Sequence, residues 1–455
     1  MAPLRPLPKR LIFISIDGLR PEFYLDSRYP TPHLQRLARQ GLAARRSTPI
    51  YPSVTYPNHA SYLTGTYSAR HGILSNSIFS WEDCKRERWY FDHSHFKCPT
   101  LWDLAREAGL KTCSLRWPTS AGAPVDYLVP ESFSLTPGRP QLDWMLTIQA
   151  SHPAPYIESL LRQCGREAPD GHSGYDQWMT DALIFTLQKH QPDLSFLHLI
   201  QLDHVQHSAG REAPEVDQAL RQTDNRIGEL LEAIDLKTDC VIFAGDHGFS
   251  DFTARVNLNT LFHEQGWITL KEGKLEDWEV IAHNSCGQAA VYTKRPWLTG
   301  QILEILEAHS HGVYQILSAP KLSGLEAFPE AICAVDAAEG FSMGDGFTGE
   351  LVTSIDQTRG EHGYLAQNQN LQGGFVAAGV GIPLKKIIDS MELIDIAPTL
   401  AELMHLPMPT AQGKSLFKAW EISGTTDTWA QPGLTQHPDG PETRDPAHPY
   451  TLHNG

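Results

Sequence analysis

The chain has no cysteine framework. Its seven cysteines, at positions 84, 98, 113, 164, 240, 286 and 333, are scattered and form no CxxC pair. That spacing excludes a disulfide scaffold and a Cys-zinc site and reads as free thiols, with a lone Cys84–Cys98 bridge left open. Positive charge is also short. Lys plus Arg number 37 against 53 Asp plus Glu, a formal charge of −16. Binding to a nucleic acid duplex or an anionic membrane surface needs the opposite sign. Long apolar runs are missing too. Leu11–Ile16 is interrupted by Asp17, and no stretch approaches the ~18 apolar residues of a membrane span. That run is also too short for the core of a signal peptide. The chain as written reads as cytoplasmic, although an exported chain with its leader removed would read the same.

What is present is core-forming material. Hydrophobic residues make up 41% of the 455, which excludes a disordered chain. Leu11–Ile16, Leu194–Ile200 and Cys240–Ala244 are continuous apolar runs without strict alternation. Such runs suit strands buried on both faces, as in a parallel sheet covered by helices. Helical patterns lie between them. Thr31, Pro32 and Gly41 punctuate one, and Thr100 to Gly109 another, before an expected strand at Lys111–Trp117. Asp176–His190, Glu215–Ile234 and Ile394–Met404 carry apolar residues at helical spacing. The expected class is α/β with a largely parallel central sheet. Residues 267–355 break the rhythm and read as an inserted, cap-like α+β subdomain within a catalytic domain spanning 8–420. Residues 421–455 read as an extended or flexible tail.

Each apolar run ends in acid. Asp17 follows the first, Asp203 and His207 the second, Asp246 and His247 the third. Ligands of open α/β sheets bind beyond the carboxyl ends of the strands, so these residues converge. Carboxylates gathered without Lys or Arg repel one another. A divalent cation is the simplest remedy, and Asp with His is an ordinary zinc ligand set. Asp203 and His207 stand four apart, on one face of a helix. In Tyr51–Gly65, Thr55 falls at or just before a helix N-terminus, where anions are favoured. A nucleophile activated by metal and a simple N-cap are both open there.

The ordered set of Ile16–Gly18 (IDG), PSVTYPNHASYLTG around Thr55, His71–Asn76 (HGILSN), Asp203–His207 (DHVQH), Gly245–Gly248 (GDHG) and Gly360–Tyr364 (GEHGY) resembles the nucleotide pyrophosphatase/phosphodiesterase branch of the alkaline phosphatase superfamily. The likeness runs from about Leu11 to Leu416. It implies an alkaline-phosphatase-like core and two Zn²⁺ per chain, with Mn or Fe also suited to such ligands. One metal would sit on Asp17, Asp246, His247 and the Thr55 oxygen, the other on Asp203, His207 and His362. Only the resemblance picks out His362. It further implies Thr55 as nucleophile, a covalent Thr-phosphoryl intermediate, and Asn76 as a ligand of the transferring phosphoryl oxygen. Asn58 would hold the nucleophile turn. Sulfatases need Cys or Ser in C/S-x-P-x-R, which Thr55–His59 does not offer, and alkaline phosphatases use Ser.

The expected activity is hydrolysis of small phosphodiester or pyrophosphate substrates, releasing a nucleoside monophosphate or similar monoester. A phosphonate or phosphomonoester hydrolase on the same two-metal scaffold is the alternative enzyme reading. A non-catalytic phosphate-binding protein with a relic site is the alternative outside enzymes. The family holds a nucleobase between aromatic rings. Tyr56 stands at the first position, and Tyr127, downstream of Trp117-Pro118, is the candidate for the second. His59, His71 and His204 read as packing or supporting groups, and His93 with His95 as a polar loop.

Overall fold

The computed structural model describes residues 6–82, 88–134 and 141–417. Residues 421–455 and Cys84 lie outside the described residues. Cys98 is a free thiol.

The molecule is organised by one central sheet. Its strands are β1 (Leu11–Ile16), β2 (Leu42–Thr48), β3 (Thr112–Leu115), β4 (Tyr127–Val129), β5 (Leu194–Leu199), β6 (Cys240–Ala244), β7 (Gly373–Gly379) and β8 (Lys386–Ile388). They lie in the order β8-β2-β7-β6-β1-β5-β3-β4, with the short Met391–Glu392 also paired to β2. The three apolar runs are therefore immediate neighbours: β1 pairs in parallel with both β5 and β6. All three are buried along their whole length. Only β7 runs against its neighbours. Continuous apolar sequence is required here because helices cover both faces. One face packs against helices that include Gly171–Lys189 and Pro214–Glu232. The other packs against Thr55–Thr64, Leu101–Glu107 and Ile396–Leu403.

The helices begin where the sequence signals them. Pro32 opens Pro32–Gln40 and Gly41 closes it. Thr100 and Asp103 form a reciprocal capping box at Leu101–Glu107. The helix Gln201–Ala209 has no capping side chain of its own at Ile200. Asp176 supplies one from another helix: its carboxylate accepts from the Ile200 and Gln201 N–H groups, both at 3.0 Å. The same carboxylate pairs with the buried Arg116 at 2.9 Å. One buried ion pair thus fixes the start of the helix that carries Asp203 and His207.

A second hydrophobic core gathers Tyr51 and residues from Val256 to Leu371, a wider span than 267–355. It holds a four-stranded antiparallel sheet in the order Val280–Ser285, Gln288–Thr293, Cys333–Ala337, Tyr314–Ser318. A three-stranded sheet, with Ser250–Val256 between Gly340–Met343 and Val352–Glu361, joins this region to the end of β6. Asp336, on the Cys333–Ala337 strand, is buried, and burial pushes its carboxyl up to about 7 despite bonds from the Leu365 N–H and Gln315.

Two outcomes follow. Asp176→Ala leaves Arg116 buried without its partner and uncaps Gln201–Ala209. It should cost about 3–5 kcal/mol of stability by chemical denaturation; a loss below ~1 kcal/mol would contradict this role. Asp336 titrates higher in the folded state than unfolded, so the folded state holds more protons. Its effect is to lower stability as pH rises from about 4 to about 7. Asp336→Asn should gain on the native chain across that window and level off above it, as read by denaturation at a series of pH values.

Candidate active site

The strands β1, β5 and β6 run parallel, so their carboxyl ends share one edge, and Asp17, Asp203 and Asp246 emerge there. The turn after β1 needs Gly18. Its φ is +69°, and a Cβ there would meet Gln206 Nε2 and a Phe249 ring carbon at 2.7 Å. The Gly18 N–H donates to Asp246 Oδ1 at 3.1 Å, tying two strand ends together.

Seven predicted residues converge at this edge. Asp17, Asp246 and His247 offer ligand atoms within 4.8 Å of one another, and so do Asp203, His247 and His362. His247 Nε2 lies 3.3 Å from Asp17 Oδ1 and 3.2 Å from Asp246 Oδ2. Thr55 Oγ1 lies 3.5 Å from the same nitrogen. Asp203 Oδ1 stands 3.4 Å from His207 Nε2 and 3.8 Å from His362 Nε2. The two imidazoles approach at 3.2 Å. His247 and His362 stack at 3.7 Å.

The tautomers follow from the backbone. Nδ1 of His207 faces the Gly360 carbonyl at 3.1 Å, Nδ1 of His247 the Gly248 carbonyl at 3.2 Å, and Nδ1 of His362 the Ser53 carbonyl at 3.1 Å. A carbonyl only accepts, so each Nδ1 carries the proton. Each Nε2 therefore presents its lone pair to the centre, as a ligand nitrogen must.

The electrostatics fit the same reading. Burial first, then Asp203 and Asp246, hold the Asp17 carboxyl well above its ordinary range. Burial pushes Asp246 up to about 8, against the Gly18 N–H, and Asp203 up to about 6, against His207. Burial holds His247 and His362 well below the usual imidazole range, with neighbouring imidazoles adding to it. Burial lowers His207 as well, but Asp203 and Glu361 outweigh it and hold that ring high. Asp17 Oδ1, Asp203 Oδ1 and Asp246 Oδ2 are buried with no hydrogen-bond partner among the described residues. Three orphaned carboxylate oxygens among inward lone pairs fit cations.

Thr55 is the first residue of the helix Thr55–Thr64, and Val54 holds the cap position. No side-chain cap bond forms, so the hydroxyl is not an N-cap. Asn76 Oδ1 accepts from the Tyr56 N–H at 2.9 Å, which leaves its NH₂ end for an incoming oxygen. Asn58 Oδ1 accepts from the Ile50 N–H and holds the turn before the helix.

The two aromatic expectations do not hold in this geometry. Tyr56 is 1% exposed, with its ring edge-on to Trp89 and its hydroxyl donating to Glu131 at 2.7 Å. A tyrosine hydroxyl seeks a buried partner, and Glu131 draws the ring inward. Trp89 instead lines the cleft, together with Asn76, His204 and His207. Tyr127 pairs in register with Cys113 of β3, which pairs with Ser195 near the start of β5. It therefore lies at the far end of the strands from the acids, packed on Tyr156 and His190.

Sequence reading singled out His59 as a packing or supporting group but missed His198 and Glu361. His198 Nε2 meets Asp17 Oδ2 at 3.1 Å from inside β5. His59 Nδ1 meets the Thr55 carbonyl at 2.8 Å and Asp246 Oδ2 at 3.6 Å. Glu361 Oε1 lies 3.3 Å from His207 Nδ1. A polar residue inside an apolar strand, as at His198, was the available signal. His71 is buried against Ser61, whereas His93 and His95 sit in a short 3₁₀ turn.

Residues 11–322 match the family model for type I phosphodiesterase / nucleotide pyrophosphatase. Human ectonucleotide pyrophosphatase/phosphodiesterase family member 5 is 22% identical over 421 residues, covering 89% of this chain and 76% of that protein. Human family member 1 is 25% identical over 233 residues, covering 50% of this chain and 21% of that protein. The structure of murine ectonucleotide pyrophosphatase/phosphodiesterase 5 superposes with a TM-score of 0.66 at 19% identity, covering 91% of this chain and 98% of that one. A second murine structure is of an inactive Thr-to-Ala form in complex with AMP. The fold is alkaline-phosphatase-like, as in those structures. The chain belongs to the type I phosphodiesterase / nucleotide pyrophosphatase family, a family of phosphoric diester hydrolases.

Proposed function

We propose that the chain is a two-zinc phosphodiesterase that cleaves small phosphodiester or pyrophosphate substrates through Thr55 and releases a nucleoside monophosphate or similar monoester. The observation that carries this is the Thr55 hydroxyl at a helix N-terminus, 3.5 Å from His247 Nε2, beside three orphaned carboxylate oxygens. Asp17, Asp246, His247 and Thr55 would hold one metal; Asp203, His207 and His362 would hold the other. Bound zinc lowers the pKa of a coordinated hydroxyl and draws charge from phosphoryl oxygens.

The chain's own groups do the rest. Thr55 Oγ1 gives up its proton to solvent water and forms a bond to phosphorus. The opposite P–O bond breaks, and the departing oxygen keeps the electron pair. The NH₂ of Asn76 donates to a phosphoryl oxygen that gains charge in the transition state. The oxygen of a water molecule then bonds to phosphorus, the Thr55 Oγ1–P bond breaks, and a proton from that water returns to Oγ1. Gly360, Gly248 and Ser53 keep the imidazole protons on Nδ1 throughout. The inactive Thr-to-Ala form of the murine relative, in complex with AMP, supports both the nucleophile and a nucleoside monophosphate product. The free thiols among the described residues favour a reducing compartment such as the cytoplasm.

Thr55→Ala should lower turnover of p-nitrophenyl thymidine monophosphate by at least about 10³-fold with an unchanged melting temperature. Turnover near the native rate would remove Thr55 from the mechanism, and a clear preference for p-nitrophenyl phosphate would remove the diesterase assignment. Chelation should abolish activity and lower the melting temperature by several degrees, and zinc should restore both, because the aspartates repel without cations. A melting curve indifferent to chelator would argue against structural occupancy of the site.

A further inference from the structure

The site opens at His207 into a cleft of about 450 Å³, a size suited to small-molecule groups. Two arginines line it, Arg255 and Arg359. They come from adjacent strands of the three-stranded sheet, where Arg359 pairs in register with Phe252 and a bulge separates it from Ser354. Arg359 directly precedes Gly360, whose carbonyl holds His207. Arg255 is close enough to His207 to oppose its protonation.

These two guanidiniums differ from several arginines held by acids in the fold. Arg116 is paired with Asp176, Arg20 with Glu212, Arg211 with Glu22 and Arg10 with Asp239. Arg255 and Arg359 make no ion pair within 4 Å among the described residues; Arg255 donates only to the Met343 carbonyl and lies over the Phe252 ring. The cleft's acids are engaged elsewhere. Glu361 faces His207 and Ser342, and Asp345 accepts from Asn284. In a chain with a formal charge of −16, two arginines without an ion pair at one cleft gather positive charge beside the candidate site.

The cleft continues into a second cavity of about 700 Å³, with which it shares Ser77, Asn284 and Asp345. Its walls include Ile78, Phe79, Leu275, Ile281 and Phe347. Phe79 lies flat against Tyr292 at 3.7 Å. Asn284 Oδ1, at the junction, is buried with no hydrogen-bond partner among the described residues.

Direction gives these features a role. Thr55 attacks from the Asp17, Asp246 and His247 end, so the departing oxygen lies toward Asp203 and His207. The arginines and the annex stand on that departing side. Building on the phosphodiesterase reading, we propose that Arg255, Arg359 and the annex walled by Phe79, Leu275 and Phe347 bind the leaving half of the substrate, and that this half bears its own phosphate followed by a flat or apolar group. The reaction is then cleavage of a pyrophosphate link. Thr55 Oγ bonds to one phosphorus, the bridging P–O bond breaks, and the leaving phosphate carries off the electron pair, its added charge met by the guanidiniums.

The test compares three substrates on the full-length, zinc-supplied chain. The leaving group of p-nitrophenyl thymidine monophosphate has no phosphate, that of ATP has phosphates alone, and that of diadenosine tetraphosphate has phosphates and a base. Arg359 is exposed, so its replacement spares the core. Arg359→Ala should lower kcat/KM for both polyphosphates by at least about tenfold more than for the p-nitrophenyl ester, with partial rescue by Arg359→Lys. Phe347→Ala should lower kcat/KM for the dinucleotide about fivefold relative to ATP. Equal losses across the three substrates would overturn the proposal. Calorimetric titration of diadenosine tetraphosphate into the Thr55→Ala chain reads the same subsite without turnover. Affinity unchanged by the further Arg359→Ala change would overturn it there. Failure to hydrolyse the p-nitrophenyl ester would instead count against the phosphodiesterase reading alone.

Discussion

Mutual repulsion among Asp17, Asp203 and Asp246 governs this molecule. The parallel pairing of β1, β5 and β6 that buries the core also delivers these carboxylates to one edge. Burial removes the water that would screen them, and each is pushed toward its neutral form when no cation is present. Around that strain the rest is arranged. Asp176 and Arg116 pin the helix bearing Asp203, the Gly18 N–H restrains Asp246, and His198 leans on Asp17. An acidic chain handles phosphate by concentrating a few acids where cations can reverse their sign locally.

Much of this was legible in sequence because the relevant physics is local. Buried parallel strands must be continuously apolar, so Leu11–Ile16, Leu194–Leu199 and Cys240–Ala244 announced themselves, and the acids after them fell where open α/β sheets bind ligands. Thr100 and Pro32 marked helix starts through capping and ring geometry. His362 had no such signal. It reaches the site from a loop after the Val352–Glu361 strand, and only the family resemblance pointed to it.

The aromatic expectations failed for a tertiary reason. Whether a tyrosine presents its face to a ligand depends on what takes its hydroxyl, and Glu131 lies 75 residues from Tyr56. Tyr127 was placed by chain proximity to Trp117-Pro118, whereas register sets it at the opposite end of the sheet. Arg255 and Arg359 were equally invisible, since an arginine in sequence carries no sign of whether an acid waits beside it. Pairing and exposure are properties of the assembled surface.

The three imidazole protons rest on carbonyls of Gly248, Gly360 and Ser53. These acceptors belong to the main chain, so no side-chain replacement at those positions removes one outright. The orientation of the three imidazoles is stored in the path of the backbone. Sequence around the site is thereby freed to drift, and substrate preference can change in the cleft walls while the chemistry stays in place.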